Sequence, residues 1–193
     1  MTNQKPYEIL VGVGTLYIAP AGTAKPALTA TPGGSWRNLG DTDDGVKVTK
    51  SQTIEKFGVD QSTGKRKAVR TEESVLVETN LAANTLENLA DVINNPVTIT
   101  APGAGTIGYR SLKMYAGADV DQFAFLFRGK SPYGDFPAQY YVPVGIFEDD
   151  VESEYKKDDK TLIPVKFESL EDPNAATADD RFGVYEAQDL AAL

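Results

Sequence analysis

The residue types that run most enzyme sites are missing from this chain, whose 193 residues include no His and no Cys. Without His there is no imidazole base, no Ser-His-Asp relay and no commonest metal ligand. Without Cys there is no thiolate nucleophile, no disulfide and no Cys-ligated zinc or iron–sulfur centre. What stays open is carboxylate or Lys chemistry, Mg²⁺ or Ca²⁺ held by oxygens, or no catalysis.

Four segments could carry such chemistry. Gly103-Ala-Gly-Thr-Ile-Gly108 has the glycine spacing of a dinucleotide loop. That loop must open a helix whose N-terminus faces a pyrophosphate. Here Tyr109-Arg-Ser-Leu-Lys-Met-Tyr115 follows, which is strand-like, so a Gly-rich hairpin turn is expected. Asp41-Thr-Asp-Asp-Gly45 puts Gly fifth and Gln52 twelfth, where a calcium loop needs Gly sixth and Glu twelfth. It reads as an acidic turn. Glu148-Asp-Asp-Val-Glu-Ser-Glu154 offers paired carboxylates, but acid–base work needs one of them buried. With Val151 the only apolar member, the run reads as a solvated loop or strand edge. Lys65, Arg66, Lys67 and Arg70 could meet phosphate, yet no aromatic residue is interleaved with them. Their expected partner is acid on another copy of the chain.

The charge distribution supports that pairing. Residues 1–147 hold 14 acidic and 14 basic side chains, and residues 148–193 hold 14 acidic and 5 basic, so the whole net charge of −9 lies in the last quarter. A neutral body with one acidic end is no general nucleic-acid binder, which needs a net basic face. The N-terminus lacks a basic stretch leading into an unbroken apolar run, and no run approaches 18 apolar residues. A soluble chain without signal peptide or membrane span is therefore expected.

The elements that must position these residues are mostly strands. Segments 9–18, 97–100, 109–115, 123–128, 139–144 and 162–170 are rich in β-branched and aromatic residues, with Gly and Pro between them. Residues 46–79 read as one long hairpin with a mobile basic tip. Lys47, Thr49, Ser51, Thr53 and Glu55 form a polar face on its first strand, and Glu72, Ser74 and Glu78 lie on one side of the second. One helix is expected at about 85–94. Asn84 is its N-cap, Glu87 completes a capping box, and Leu86, Leu89, Ala90 and Ile93 form its apolar stripe. Of the eight aromatics between Phe123 and Phe147 some are expected in the core, but they exceed what one face of a small sheet needs, so a subunit interface is expected there too. Short strands plus one helix predict a mainly β, antiparallel sandwich or barrel of two packed sheets over residues 1–171. Residues 172–193, Ala- and Asp-rich, are expected to be an acidic C-terminal arm.

This layout resembles the major tail proteins of long flexible-tailed bacteriophages. The resemblance is carried by Gly14-Thr-Leu-Tyr-Ile-Ala-Pro20, by Trp36-Arg-Asn-Leu-Gly-Asp-Thr-Asp-Asp-Gly-Val46 and by Phe57-Gly-Val-Asp-Gln61 on the hairpin. Val77-Glu-Thr-Asn-Leu81, leading into Asn84-Thr-Leu-Glu-Asn-Leu-Ala90, completes it. It implies a structural, non-enzymatic subunit without cofactors or metal. Six copies would form a ring, and rings would stack into a tube that contacts other phage tail proteins and passes genomic DNA without binding it specifically. Assembly in the host cytoplasm, a place in the virion tail and no membrane contact follow from it. The hairpin would line the lumen with Lys47, Thr49, Ser51, Thr53, Glu55, Glu72, Ser74 and Glu78. Lys65, Arg66, Lys67 and Arg70 would meet Glu148, Asp149, Asp150 and Glu152, or the arm, on an adjacent subunit. A capsid decoration module is the alternative, and a Mg²⁺-carboxylate enzyme is the third reading.

Overall fold

The computed structural model describes residues 9–148 and 150–189. The chain is mainly β, as its turn-punctuated sequence implies. Its strands are β1 (Thr15–Pro20), β2 (Arg37–Asn38), β3 (Thr42–Gly58), β4 (Lys65–Leu81), β5 (Val97–Thr100), β6 (Tyr109–Leu112), β7 (Phe123–Lys130), β8 (Pro137–Phe147), β9 (Ile163–Ser169) and β10 (Val184–Ala187). One helix, α1 (Leu86–Val92), follows β4. All pairings are antiparallel. The large sheet runs β2-β1-β7-β8-β9-β4-β3, with β10 added to β8, and β5-β6 form a small second sheet.

A simple length argument shows that the large sheet is bent over itself. Its path begins at β2 and ends at β3, yet only Leu39, Gly40 and Asp41 separate those two strands in sequence. Six inter-strand spacings laid flat would put them ~29 Å apart. Four extended residue steps reach at most ~15 Å. The sheet therefore curls until its two ends meet, and the two packed layers are parts of one continuous sheet. Gly40 sits in the join with φ +88°, and an added Cβ there would stand 2.5 Å from the Ala83 side chain. The closed space is filled by Leu16 and Ile18 of β1, Phe125 of β7, Val77 and Leu81 of β4, and Phe167 of β9. Phe125 stacks on Phe167 at 4.8 Å between ring centroids, and Phe147 meets the same ring edge-on at 5.3 Å.

The core takes up several of the aromatics between Phe123 and Phe147. Phe125 and Phe147 are buried, and Phe123 packs on Phe147 at 5.6 Å. Phe127, Tyr140 and Tyr185 form a stack on the same chain, with Tyr140 and Tyr185 4.2 Å apart. Tyr133 alone of the eight is clearly exposed.

Two boundaries differ from expectation, and one helix residue has an unexpected role. The strand expected from 46 begins at Thr42, because Asp44 (φ +60°) and Gly45 (φ +79°) make a bulge inside β3 instead of a turn before it. The helix is capped by Thr85, not Asn84. Thr85 is extended (φ −101°, ψ 153°) and its hydroxyl accepts from the Asn88 N–H at 3.2 Å. Glu87 moves accordingly to the second helical position and pairs with Arg110. Asn88, outside the expected apolar stripe, is a buried junction. Its amide donates to the Leu39 and Ala83 carbonyls, both at 2.9 Å, and accepts from Arg37 at 2.6 Å. The helix is thereby fastened to the join between β2 and β3.

The segment read as an arm folds back on its own chain as far as it is described, to residue 189. β10 pairs with β8 from Val184 opposite Tyr141 to Ala187 opposite Ala138. Glu186 accepts from the buried Gln139 at 2.9 Å and pairs with Lys25, and the Ser131 hydroxyl donates to the Gln188 carbonyl at 2.6 Å.

Candidate functional site: a polar sheet face and a protruding ribbon

Two features of the large sheet have no role in the core. The first is a largely polar face, interrupted by Leu76 and Ile146. Because directly opposed residues in an antiparallel ladder share a face, the register decides which side chains stand together. Lys47 faces Glu78, Thr49 faces Leu76, Ser51 faces Ser74 and Thr53 faces Glu72. Lys47 Nζ donates to Glu78 at 2.6 Å, and the Thr53 hydroxyl donates to Glu72 at 3.2 Å. Glu55 follows by alternation on β3, opposite Val69. The eight residues that the sequence grouped by alternation therefore do lie on one surface. The opposite surface buries Val77 and packs Val48 and Val75 against the core.

The face continues across strands that the sequence reading left out. Glu78 is opposite Lys166 and Leu76 opposite Glu168 on β9, and Ile146 of β8 is opposite Glu168. Lys166 in turn pairs with Glu148 at 2.6 Å. One row across the face thus reads Lys47, Glu78, Lys166, Glu148, with charge alternating at each step. Together the face holds Lys47 and Lys166 against Glu55, Glu72, Glu78, Glu148 and Glu168, a net charge of −3. A signal for the missed pair was available. In β9, buried Ile163, Val165 and Phe167 alternate with half-buried Pro164, Lys166 and Glu168, the period of a strand with one wet face.

Glu148 is thereby engaged within its own subunit. The hydrogen-bonded Lys166 ammonium, first, and Glu168 beside it hold the Glu148 carboxyl below the ordinary carboxylate range. A lowered folded-state value means that the pair stabilises the fold above the unfolded carboxylate value, about 4.3, and stops doing so as pH falls through the folded value. Glu148→Gln is expected to flatten the acid limb of the stability profile between pH 5 and 2 and to leave its shape above pH 6 unchanged. Urea midpoints across that range test this; an acid limb identical to that of the parent would refute it.

The second feature is the outer half of the β3–β4 hairpin. β9 covers β4 only from Leu76 to Leu81, so beyond that the two strands have only each other. Every residue of β3 from 50 to 58 and of β4 from 65 to 72 is exposed. The basic residues expected on a loop tip belong to this ribbon. Lys65, Lys67 and Arg70 are paired in register with Gly58, Phe57 and Ile54. Bulges after Thr53 and Phe57 leave Thr71 and Arg66 as the extra residues. Arg70 is held by Gln52 at 3.0 Å and Glu73 at 3.4 Å. Lys65, Arg66 and Lys67 make no ion pair among the described residues. Beside them Ile54, Phe57, Val59 and Val69 are also exposed.

The acidic segment after β8 lies at the other end of the same ribbon. Lys160, near the end of that loop, pairs with Asp43 at 2.7 Å, at the start of β3. Fourteen residue steps from Asp43 to Phe57 span roughly 45 Å. The basic ribbon end and the loop carrying Asp150 and Glu152 cannot meet within one chain. Asp149 lies outside the described residues. The glycine motif 103–108 is a tight turn between β5 and β6, closed by paired Gly103 and Thr106 backbone bonds at 3.0 and 3.1 Å.

A protein-family model described as phage tail tube protein matches residues 1–179 of the 193. No curated protein is significantly similar to the chain in sequence.

Proposed function

The chain belongs to the phage tail tube protein family, and from that premise we propose how it builds a conduit. Membership makes it a structural component of the virion tail that assembles with itself and with other tail proteins. In the proposed assembly, six copies close into a ring, rings stack into a hollow tube, and the genome passes through it into the host.

The observation that carries this reading is the ribbon, a paired extension fully exposed over its outer half. An isolated two-stranded hairpin is marginal in water. Exposed apolar residues and three bare cations at its end are surface kept for a neighbour. The polar face supplies the lumen. Its hydroxyls and carboxylates stay hydrated, its cations are occupied by carboxylates, and a net −3 per subunit repels phosphate mildly. DNA then slides past without being held. The ribbon end meets the 150–160 loop of a subunit in the next ring, which places the basic and acidic segments of the two chains in contact. The carboxylates there are Asp150, Glu152 and neighbouring residues, since Glu148 is occupied by Lys166.

Negative-stain microscopy of the purified chain, concentrated at low salt, tests this. Stacked rings with an open centre are expected. Uniform monomers or trimers would overturn the tube and favour a capsid decoration module.

A further inference from the structure

A second candidate contact lies on the other side of the sheet. The β5–β6 lobe, residues 97–121, sits beside α1, whose Leu89 and Val92 pack on the core, opposite the polar face. It is firmly held. Asn94 donates to the Asp119 carbonyl at 2.9 Å and accepts from the Asp121 N–H at 2.8 Å. Asn95 donates to the Lys113 and Tyr115 carbonyls at 2.5 and 2.9 Å, and Arg110 pairs with Glu87. Yet this anchored lobe leaves Ile99, Ile107, Tyr109, Met114, Tyr115 and Val120 between 54% and 88% exposed. Residues 97–109 include no charged side chain. The two Tyr alone offer roughly 300 Å². With the four aliphatic residues the lobe bares on the order of 700 Å² of largely apolar surface, near the ~800 Å² per partner of a stable interface. It exceeds what most isolated monomers leave open. Tyr and Met are also enriched at interface centres.

We infer that this lobe packs against an adjacent copy of the same chain, as an apolar contact on the outer wall separate from the charged ribbon contact. The inference rests on the tail tube reading, since self-assembly supplies a second copy as occupant. The absence of native Cys makes the test clean, because Met114→Cys gives a single thiol. Its labelling rate by a small maleimide is compared in sedimented assemblies and in monomers of the same variant at high dilution. At least tenfold slower labelling in the assembly is expected. In parallel, Ile107→Asp with Tyr115→Asp should raise the concentration needed for assembly at least tenfold with an unchanged far-ultraviolet spectrum. Equal labelling rates in well-formed tubes would overturn the lobe contact and leave the tube reading standing. Failure of the unaltered chain to assemble at any concentration, read by light scattering, would overturn both.

Discussion

Changing Lys65, Arg66 and Lys67 together to Glu is expected to abolish tube formation in the proposed assembly while the monomer melts as before. The three side chains are exposed and have no intramolecular ion pair among the described residues, so the fold loses nothing by their reversal. The ribbon end changes from three cations to three anions and, in the proposed contact, faces an acidic loop. Each exposed ion pair contributes only about 0.2–1 kcal/mol, and reversal replaces attraction with repulsion of similar size. Per subunit that is on the order of 1–5 kcal/mol, and it recurs at every copy around a ring, where weak contacts multiply. Salt separates this mechanism from a shape effect. Between 0.1 and 1 M the screening length falls from about 10 to about 3 Å. High salt should therefore shorten tubes of the parent chain and partly restore those of the variant. Sedimentation and microscopy read both effects, and normal tube yield from the triple variant at low salt would refute the charge contact.

Phe167→Ala should have the largest effect on the fold itself. Phe167 is fully buried, stacked on Phe125 and met edge-on by Phe147. Packing around its ring reaches the backbone, since a Cβ on Gly145 would lie 2.5 Å from a carbon of that ring. Little room exists for the surroundings to collapse, so the cavity persists. Large-to-small changes of this kind cost about 3–5 kcal/mol, a large part of the roughly 5–15 kcal/mol that holds a domain together. The consequence reaches the candidate site, because the neighbouring residues 166 and 168 carry the charges of the polar face. Urea unfolding measures the loss, and a change below about 1.5 kcal/mol would mean that the core tolerates the void.

The polar face was legible in the sequence because alternation is a local property. Whether a side chain at 47, 49, 51 or 53 shares a face with its neighbours depends only on the extended backbone between them. Pairing partners are another matter. That Lys166 stands across from Glu78 follows from strand order, which spans 88 residues and leaves no local mark. The start of β3 was hidden for a different reason. Asp-Asp-Gly at 43–45 marks a left-handed backbone, and the same signal fits a turn or a bulge. Thr85 and Asn84 are both good caps, and packing chose between them. The 184–187 strand escaped notice because it is short and lies in an acidic stretch, and only the facing edge of β8 makes it a strand. Likewise the basic residues at 65–67 gave no strand signal. Their cross-strand partners, Phe57 among them, extend the ladder to the end of the ribbon.

The separation of the ribbon's basic end, by roughly 45 Å, from the start of β3 where Lys160 anchors the acidic loop has one more consequence. A contact between two unlike patches gives each subunit a direction, and in a stack every subunit must point the same way. In the proposed stack the two terminal rings would then be chemically different objects. One would display its ribbon ends, rich in Lys and Arg, and the other its acidic loops. Starting a tube and stopping it would call for two different proteins, one shaped and charged for each extremity.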